Sequence, residues 1–238
     1  MAATDTMGLQ YPVRDRWGAY QALPIWVQEL LDEAQRAHAW PTGIVGTDRT
    51  WTAFNVDVYG FDEQSGLVVV QARYAWKRGR YGYTNVHKDY YLIGHNEDGS
   101  VFSHPVPSPR RSRRAMDGPP ENTVRWCRAR IWDCDEDDLD HIIRQGDVAL
   151  VPVQHLPAEA EPIEARTVVI RESHRVRAEQ IYRVVSDDGR ATYYTTGRVS
   201  LVHLRHQHPT VQVRKGGIFR VTAGRRIPVW GFTTPSAD

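Results

Sequence analysis

Long apolar runs, cysteine and lysine are all scarce in this chain of 238 residues. The mean hydropathy is −0.54 and no run of 18 apolar residues occurs, so we expect no membrane-spanning helix. The beginning of the chain lacks the basic and apolar segments of a signal peptide, which predicts a cytoplasmic protein. Its two cysteines, Cys127 and Cys134, form neither a disulfide framework nor a four-ligand zinc pattern, so we expect free thiols.

Motifs that would identify a reaction or a cofactor are also missing. The sequence contains no Gly-rich phosphate loop after a strand, no Gly-x-Ser-x-Gly, no kinase motifs and no His-Glu-x-x-His. We therefore predict no cofactor and no bound metal, and no motif supports either cysteine as a nucleophile.

Charge is unevenly distributed along the chain, although the net charge is only +1. Residues 131–165 contain ten acidic side chains and one arginine, whereas residues 166–226 contain thirteen Arg or Lys and four acidic side chains, a net +9. Such a basic segment predicts a polyanionic partner, for which we expect nucleic acid, RNA more than DNA. Two alternatives remain open: a base-composition bias in the gene, and pairing of the acidic with the basic segment.

The N-terminal part has the pattern of a helix followed by a meander. Pro24 suits a first helical turn and apolar residues recur at helical spacing from Val27 to Ala34, which predicts a helix at 24–37. After a loop at 42–50, alternation and turn residues predict four antiparallel strands, at 54–59, 67–76, 88–94 and 101–102. We expect an N-terminal domain at residues 1–104.

A segment rich in proline and arginine follows this domain. Residues 105–120 contain five prolines and the basic cluster Arg110–Arg114. Such a composition is typical of an exposed linker, and we expect it to separate two domains.

The remaining residues, 121–238, predict a helical connector and a basic β module. Two short helices are expected at 121–131 and 136–145, with Asp135 as N-cap and Gly146 as the stop. Hairpin turns are expected at Asp187–Gly189 and Lys215–Gly217. Strands are expected at 148–153, 167–170, 178–185, 191–202, 211–213 and 218–222. The predicted fold class is α+β, mostly β, in which a small β-barrel or sandwich follows the helix and meander.

Histidines concentrate in this basic module, at His174, His203, His206 and His208. Strand alternation puts His203 on one face of its strand, and it groups His174 with Glu172 on a face of an upstream strand. If those faces converge, His174, His203 and His208 form an acid/base set in which one imidazole takes a proton and another returns it. His206 is expected to be a bystander.

Cations close to these histidines would stabilise the charge that develops on a phosphate. The expected phosphate-binding residues are Arg175, Arg177, Arg205 and Lys215. A ribose 2′-hydroxyl nucleophile would need no metal. Two alternatives remain open: a metal site at His206 and His208 with His203 or Glu172 as third ligand, and strand-end histidines bonded to backbone carbonyls.

A second constellation interleaves aromatic rings with cations, as single-stranded nucleic acid requires for base stacking and phosphate contact. Its members are Trp76, Lys77, Arg78, Arg80, Tyr81 and Tyr83. The alternative is the tip of a hairpin that packs on its own domain.

The last third of the chain resembles small, functionally uncharacterised, histidine-containing β-rich proteins of bacteria and phages. The matching motifs are Gly146–Val153, Leu156-Pro157, Ser173–Arg175, Leu201–His203 and Gln207–Val213. The resemblance implies a module with recurrent histidines and no particular activity. Such proteins often carry a second histidine where this chain has Arg175, which disfavours a four-histidine metal centre.

The leading hypothesis is thus a protein that acts on RNA or nucleotide phosphate through a histidine acid/base site, such as a metal-independent phosphodiesterase or ribonuclease. The alternative is a non-enzymatic module that binds nucleic acid or protein. A metal-dependent enzyme with histidine ligands is third.

Overall fold

The computed structural model describes residues 23–37, 43–46, 49–78, 83–96, 99–205 and 209–224. Within these ranges only the backbone is described for 43–46, 49–55, 74–78 and 83–87. The described residues form two compact units, which divide between Cys127 and Arg128. The fold is α+β and mostly β, as predicted. No helix in the described ranges has the length and apolarity that a membrane crossing requires.

The first unit consists of a helix and an antiparallel sheet, in the predicted order. Its elements are α1 (Ile25–Arg36), β1 (Gly43–Gly46), β2 (Arg49–Asp62), β3 (Leu67–Arg78), β4 (Tyr83–His95) and β5 (Val101–Val106). The strands lie side by side in sequence order. The helix and the four-strand meander are confirmed. The expected loop at 42–50 is wrong, because β1 lies there and pairs with the beginning of β2.

The core of the first unit forms where α1 packs on this sheet. Val27 and Leu31 of α1 are fully buried against Val70 and Ile93 of the central strands. Each such side chain stabilises the fold by about 1.5–3 kcal/mol relative to an exposed one. The helical spacing read from the sequence therefore marks the face that builds the core.

The segment predicted as a linker, 105–120, is folded within the first unit. It contains the end of β5, a 3₁₀ turn at Pro109–Arg111, helix α2 (Arg113–Met116) and the first residue of α3 (Pro120–Trp132). Pro109 and Ala115 are buried, and the Ser112 hydroxyl accepts a hydrogen bond from the Ala115 N–H at 3.2 Å. The division between the units falls farther along the chain, inside α3.

The second unit has one antiparallel sheet of seven strands. They are β6 (Ile143–Gln145), β7 (Val148–Pro152), β8 (Glu161–Ile163), β9 (Thr167–Ile170), β10 (His174–Val185), β11 (Ala191–His203) and β12 (Val211–Ala223). The order is β6-β7-β12-β11-β10-β8, and β9 also pairs with β10. Ile143 and Ile163, from opposite edges, pack on one hydrophobic cluster, so both edges of the sheet contribute to the same core.

Two local expectations in this unit are wrong. The helix predicted at 136–145 is a 3₁₀ helix at Glu136–His141, and Gln145 belongs to β6. Asp135 stands at the expected N-cap, but its side chain makes no capping hydrogen bond. The Lys215–Gly217 segment is no hairpin turn, because its glycines lie inside β12 beside an irregular pairing with β11.

Candidate functional site

Strand pairing brings His174 and His203 together at one end of the second unit's sheet. The first residue of β10, His174, is the register partner of His203, the last residue of β11. Their ring centroids lie 4.7 Å apart and the ring planes meet at 84°, an edge-to-face arrangement. The two residues are only 2% and 3% exposed. The pair is therefore a buried polar element of the core.

The Nδ1 atom of His174 faces two oxygen atoms. The Ser173 hydroxyl lies 2.9 Å from Nδ1, and Oδ1 of Asp147 lies 3.5 Å from the same nitrogen. A serine–histidine–aspartate triad needs the hydroxyl and the carboxylate on opposite ring nitrogens. This group of three residues therefore lacks the geometry that activates a serine nucleophile.

His203 is held by the turn that follows β11. Its Nδ1 atom accepts a hydrogen bond from the backbone N–H of Arg205 at 3.3 Å, which puts the proton of the neutral ring on Nε2. The N–H of Leu204 donates to the carbonyl of Ser173 at 2.7 Å and extends the β10–β11 pairing. The Leu204 bond therefore fixes the end of β11 relative to the beginning of β10, while the Arg205 bond orients the His203 ring.

Arg171 closes the histidine end of the sheet. Its guanidinium bonds Oδ2 of Asp147 at 2.9 Å and the carbonyl of Gly224 at 2.6 Å. The N–H of Gly224 in turn donates to the carbonyl of Asp147 at 2.7 Å. A single arginine thus joins the β6–β7 turn, the β9–β10 turn and the residue that follows β12.

The turn that carries Arg171 is strained. Arg171 and Glu172 have φ of +49° and +59°, the left-handed values that both central residues of a type I′ hairpin turn need. This corrects the expected upstream strand, because residues 168–174 form a hairpin and Glu172 lies exposed in its turn. Glu172 is consequently not a ligand or a base beside His174.

The other two histidines of the cluster, His206 and His208, lie outside the described residues. Pro209, which follows them, is held by a bond from Nε2 of Gln145 to its carbonyl at 2.5 Å. The described residues contain no group of three side chains suited to hold a metal ion. Since His208, the third member of the predicted acid/base set, lies outside the described residues, the acid/base hypothesis stays a prediction.

A groove of about 620 Å³ lies on the sheet of this unit, and we call it the arginine groove. It is lined by Arg166, Arg177, Ala178, Glu179, Arg198, Val199, Ser200, Gln212, Val213 and Arg214. Four guanidinium groups and one carboxylate give this lining a net charge of +3. The groove is therefore suited to an anion.

Strand register and alternation place the charges of the arginine groove. Val176 and Ala178 are buried in the core, so Arg177 between them points to the opposite, solvent-facing side of the sheet. Ser200 on β11 is the register partner of Arg177, and Gln212 on β12 is the partner of Ser200. Three neighbouring strands thus contribute one row of polar side chains.

The predicted phosphate ligands divide between the groove and its surroundings. Of the four, only Arg177 lines the arginine groove. Arg175 is exposed two residues earlier on β10, Arg205 is exposed after β11, and Lys215 is exposed on β12. Arg177 and the unpredicted Arg214 form no ion pair with any residue in the described ranges, so both can accept a ligand.

Two tyrosines lie on the same side of the sheet as the groove. Ile181 and Thr195 are buried, so Tyr182 and Tyr194, which are register partners, face away from the core. Tyr182 lies five positions after Arg177 along β10, about 16 Å of strand. Both rings are half-buried and leave part of their surface open.

The thiols do not provide a nucleophile. Burial raises the pKa of Cys127 far above its ordinary value. Burial, followed by the charge of Asp138, raises the pKa of Cys134 to about 11. Neither thiol is ionised to a useful extent at neutral pH.

The first unit has a polar cluster whose members bond one another. The amide of Gln71 donates to the hydroxyls of Tyr59 and Tyr90, whose rings meet edge to face at 5.4 Å. Burial and the neighbouring Tyr90 raise the pKa of Tyr59 to about 12. The guanidinium of Arg110 lies 5.4 Å from the centre of the Tyr59 ring. This mutual bonding indicates a structural cluster.

The aromatic and basic constellation falls on the β3–β4 hairpin. Trp76, Lys77 and Arg78 end β3 and Tyr83 begins β4, with Arg78 opposite Tyr83. Their side chains are outside the described part, as are Arg80 and Tyr81 entirely. A nucleic-acid contact at this hairpin stays a prediction.

Most of the arginine groove was not predicted, since Arg166, Arg198 and Arg214 stand on three separate segments with no shared motif. The irregular pairing of β11 with β12 at Gly197–Val199, beside this groove, was not predicted from the sequence either. Comparison with protein-family models, curated proteins and solved structures gives no match for this chain. The resemblance to histidine-containing β-rich proteins accordingly stays untested, and the geometry alone carries the functional argument.

Proposed function

We propose that the second unit binds single-stranded nucleic acid, RNA in preference to DNA, along the arginine groove. The observation that carries this proposal is the lining itself, four arginines and one carboxylate on the solvent side of the sheet. Guanidinium groups bind phosphate oxygens through paired hydrogen bonds, and a row of phosphates can use several guanidiniums at once. The net charge of +3 on the lining adds local attraction for the phosphates.

The uncharged groups of the groove support a preference for RNA. Ser200 and Gln212 lie among the arginines and can donate hydrogen bonds to, or accept them from, a ribose 2′-hydroxyl. DNA lacks this hydroxyl, so these contacts favour RNA. Tyr182 and Tyr194, on the same side of the sheet, can stack on bases that follow the phosphates.

The histidine pair has a supporting role in this proposal. Burial of His174 and His203 keeps their rings from a bound nucleotide, whereas the contact between the rings joins the beginning of β10 to the end of β11. Those two strands carry Arg177 and Ser200 in register. The pair thus positions the strands that shape the groove.

The test is a binding titration of the full chain with fluorescent oligouridine, oligothymidine and a DNA duplex at several salt concentrations. The variant Arg177→Gln/Arg214→Gln removes two groove cations. Each lost phosphate contact lowers the slope of log K against log salt by about 0.7 for a single strand, so we expect a decrease of about 1.4. The affinity of this double variant for oligouridine should also be lower than that of the unaltered protein.

The matched control is Arg183→Gln/Arg190→Gln, which removes two exposed arginines near the β10–β11 turn. Equal slopes for the two double variants would show that general charge, and not the groove, binds the RNA. The same samples are analysed for cleavage. Cleavage by the unaltered protein that His203→Gln abolishes would support the acid/base hypothesis instead of simple binding.

A further inference from the structure

The one carboxylate of the arginine groove is seated on a glycine bulge. The pairing of β10 with β11 is irregular at Ala178–Gln180, and that of β11 with β12 is irregular at Gly197–Val199. Gly197 has φ +78°, and a Cβ atom there would lie 2.2 Å from Oε2 of Glu179. Glycine at this position therefore leaves the space in which the Glu179 carboxylate lies.

The Glu179 carboxylate is bound as an anion by arginine. Its Oε1 atom lies 2.6 Å from Nε of Arg198. That hydrogen bond lowers the pKa of Glu179, and the charge of Arg166 lowers it further, so the group is ionised at neutral pH. The side chains of Arg198 and Glu179 are 76% and 52% exposed, so a ligand in solution can reach both.

A phosphate group presents to a guanidinium the same kind of acceptor as a carboxylate, two oxygens that share negative charge. A carboxylate bound in an otherwise cationic groove therefore marks a place built for an anion. We propose that Arg198 and the Gly197 bulge form a phosphate subsite that Glu179 occupies in the free protein and leaves when nucleic acid binds. This inference rests on the proposed function and names a residue that regulates it.

Displacement of Glu179 lowers the affinity of the groove for a nucleic-acid strand. Each bound strand has to break the Glu179–Arg198 pair before a phosphate contacts Arg198. Glu179 thus weakens binding through Arg198 in particular, and not only through its negative charge. The variant Glu179→Gln leaves Arg198 open, whereas a carboxylate removed elsewhere does not.

The experiment is a double-variant cycle on the full chain, with labelled oligouridine as the probe. We expect Glu179→Gln to tighten binding of oligouridine about fivefold. This factor corresponds to the upper end of the stabilisation that an exposed ion pair provides, which no longer has to be lost when a phosphate binds Arg198. Arg198→Gln should weaken binding by a similar factor. In the Arg198→Gln background, Glu179→Gln should change affinity less than about twofold, because the Arg198 guanidinium that pairs with Glu179 is already absent.

Asp188→Asn is the matched control, since Asp188 is an exposed carboxylate paired with Arg190 at 3.2 Å in the β10–β11 turn. An effect of Glu179→Gln no larger than that of Asp188→Asn, or equal in both Arg198 backgrounds, overturns the subsite. If the groove double variant weakens binding while Glu179→Gln does nothing, only this inference fails. If the unaltered protein binds none of the oligonucleotides, the proposed function fails with it.

Discussion

The strained turn beside His174 gives two substitutions at adjacent positions that should have opposite effects. Arg171 and Glu172 both have positive φ. Among the described residues, the Arg171 side chain bonds Asp147 and Gly224, whereas the Glu172 side chain bonds none. We compare Glu172→Gly with Arg171→Gly. Both remove the strain, and only the second removes contacts.

The magnitudes follow from these contacts. A left-handed conformation costs a non-glycine residue about 1–2 kcal/mol, and the added freedom of glycine in the unfolded chain returns about 0.5–1 kcal/mol of that. Glu172→Gly should therefore stabilise the unit by about 0.7 kcal/mol. Arg171→Gly gains the same amount but loses about 1.5 kcal/mol for the bond to the Gly224 carbonyl and about 0.5 kcal/mol for the partly exposed ion pair. Its expected net effect is a destabilisation of about 1.3 kcal/mol.

The assay is urea unfolding of the full chain followed by circular dichroism, from which the free energy of unfolding is compared between variants. The two variants should differ by about 2 kcal/mol, with the unaltered protein between them. Destabilisation by Glu172→Gly would refute the assignment of strain to this turn. Stabilisation by Arg171→Gly would show that the contacts of Arg171 contribute little.

Two further predictions concern the first unit. Leu31→Ala, at a fully buried position, should lower the free energy of unfolding by about 3 kcal/mol, whereas Ile25→Ala, 74% exposed on the same helix, should change it by less than about 0.5 kcal/mol in urea unfolding. Tyr59 has its pKa raised to about 12 from an ordinary 10, so it holds its proton more tightly when folded. Its contribution to the free energy of unfolding is present below pH 10 and is lost as the pH rises towards 12. Urea unfolding at several pH values should show this loss in the unaltered protein and a smaller loss in Tyr59→Phe. An equal loss in both proteins would show that the pKa of Tyr59 is not raised.

Local pattern in the sequence was enough to predict the helix and most strands. The apolar spacing of α1 and the alternation of β2 to β5 follow directly from the geometry of helix and strand, so each can be read from one segment. The Lys215–Gly217 turn failed for a related reason. Glycine permits a tight turn and also an irregular strand pairing, and the partner strand decides between them.

The histidine pair was predicted only in part. Alternation put His203 on one face of β11, and the burial of Leu201 and His203 makes this the core face. The surroundings of His174 were missed, because Asp147 reaches it from the β6–β7 turn, which is remote in sequence, and Arg171 binds that carboxylate. A strained Arg171-Glu172 turn has no residue signature, since asparagine and glycine are the residues expected there.

The sequence by itself determined that this protein is mostly β, that an amphipathic helix precedes the first sheet, and that positive charge accumulates after residue 165. Tertiary structure alone decided which of those charges act together. Register across β10, β11 and β12 brings Arg177, Arg198 and Arg214 to one groove and seats Glu179 on Gly197. A shift of one residue in any of these strands would turn its side chains to the opposite face, and non-local pairing sets that register.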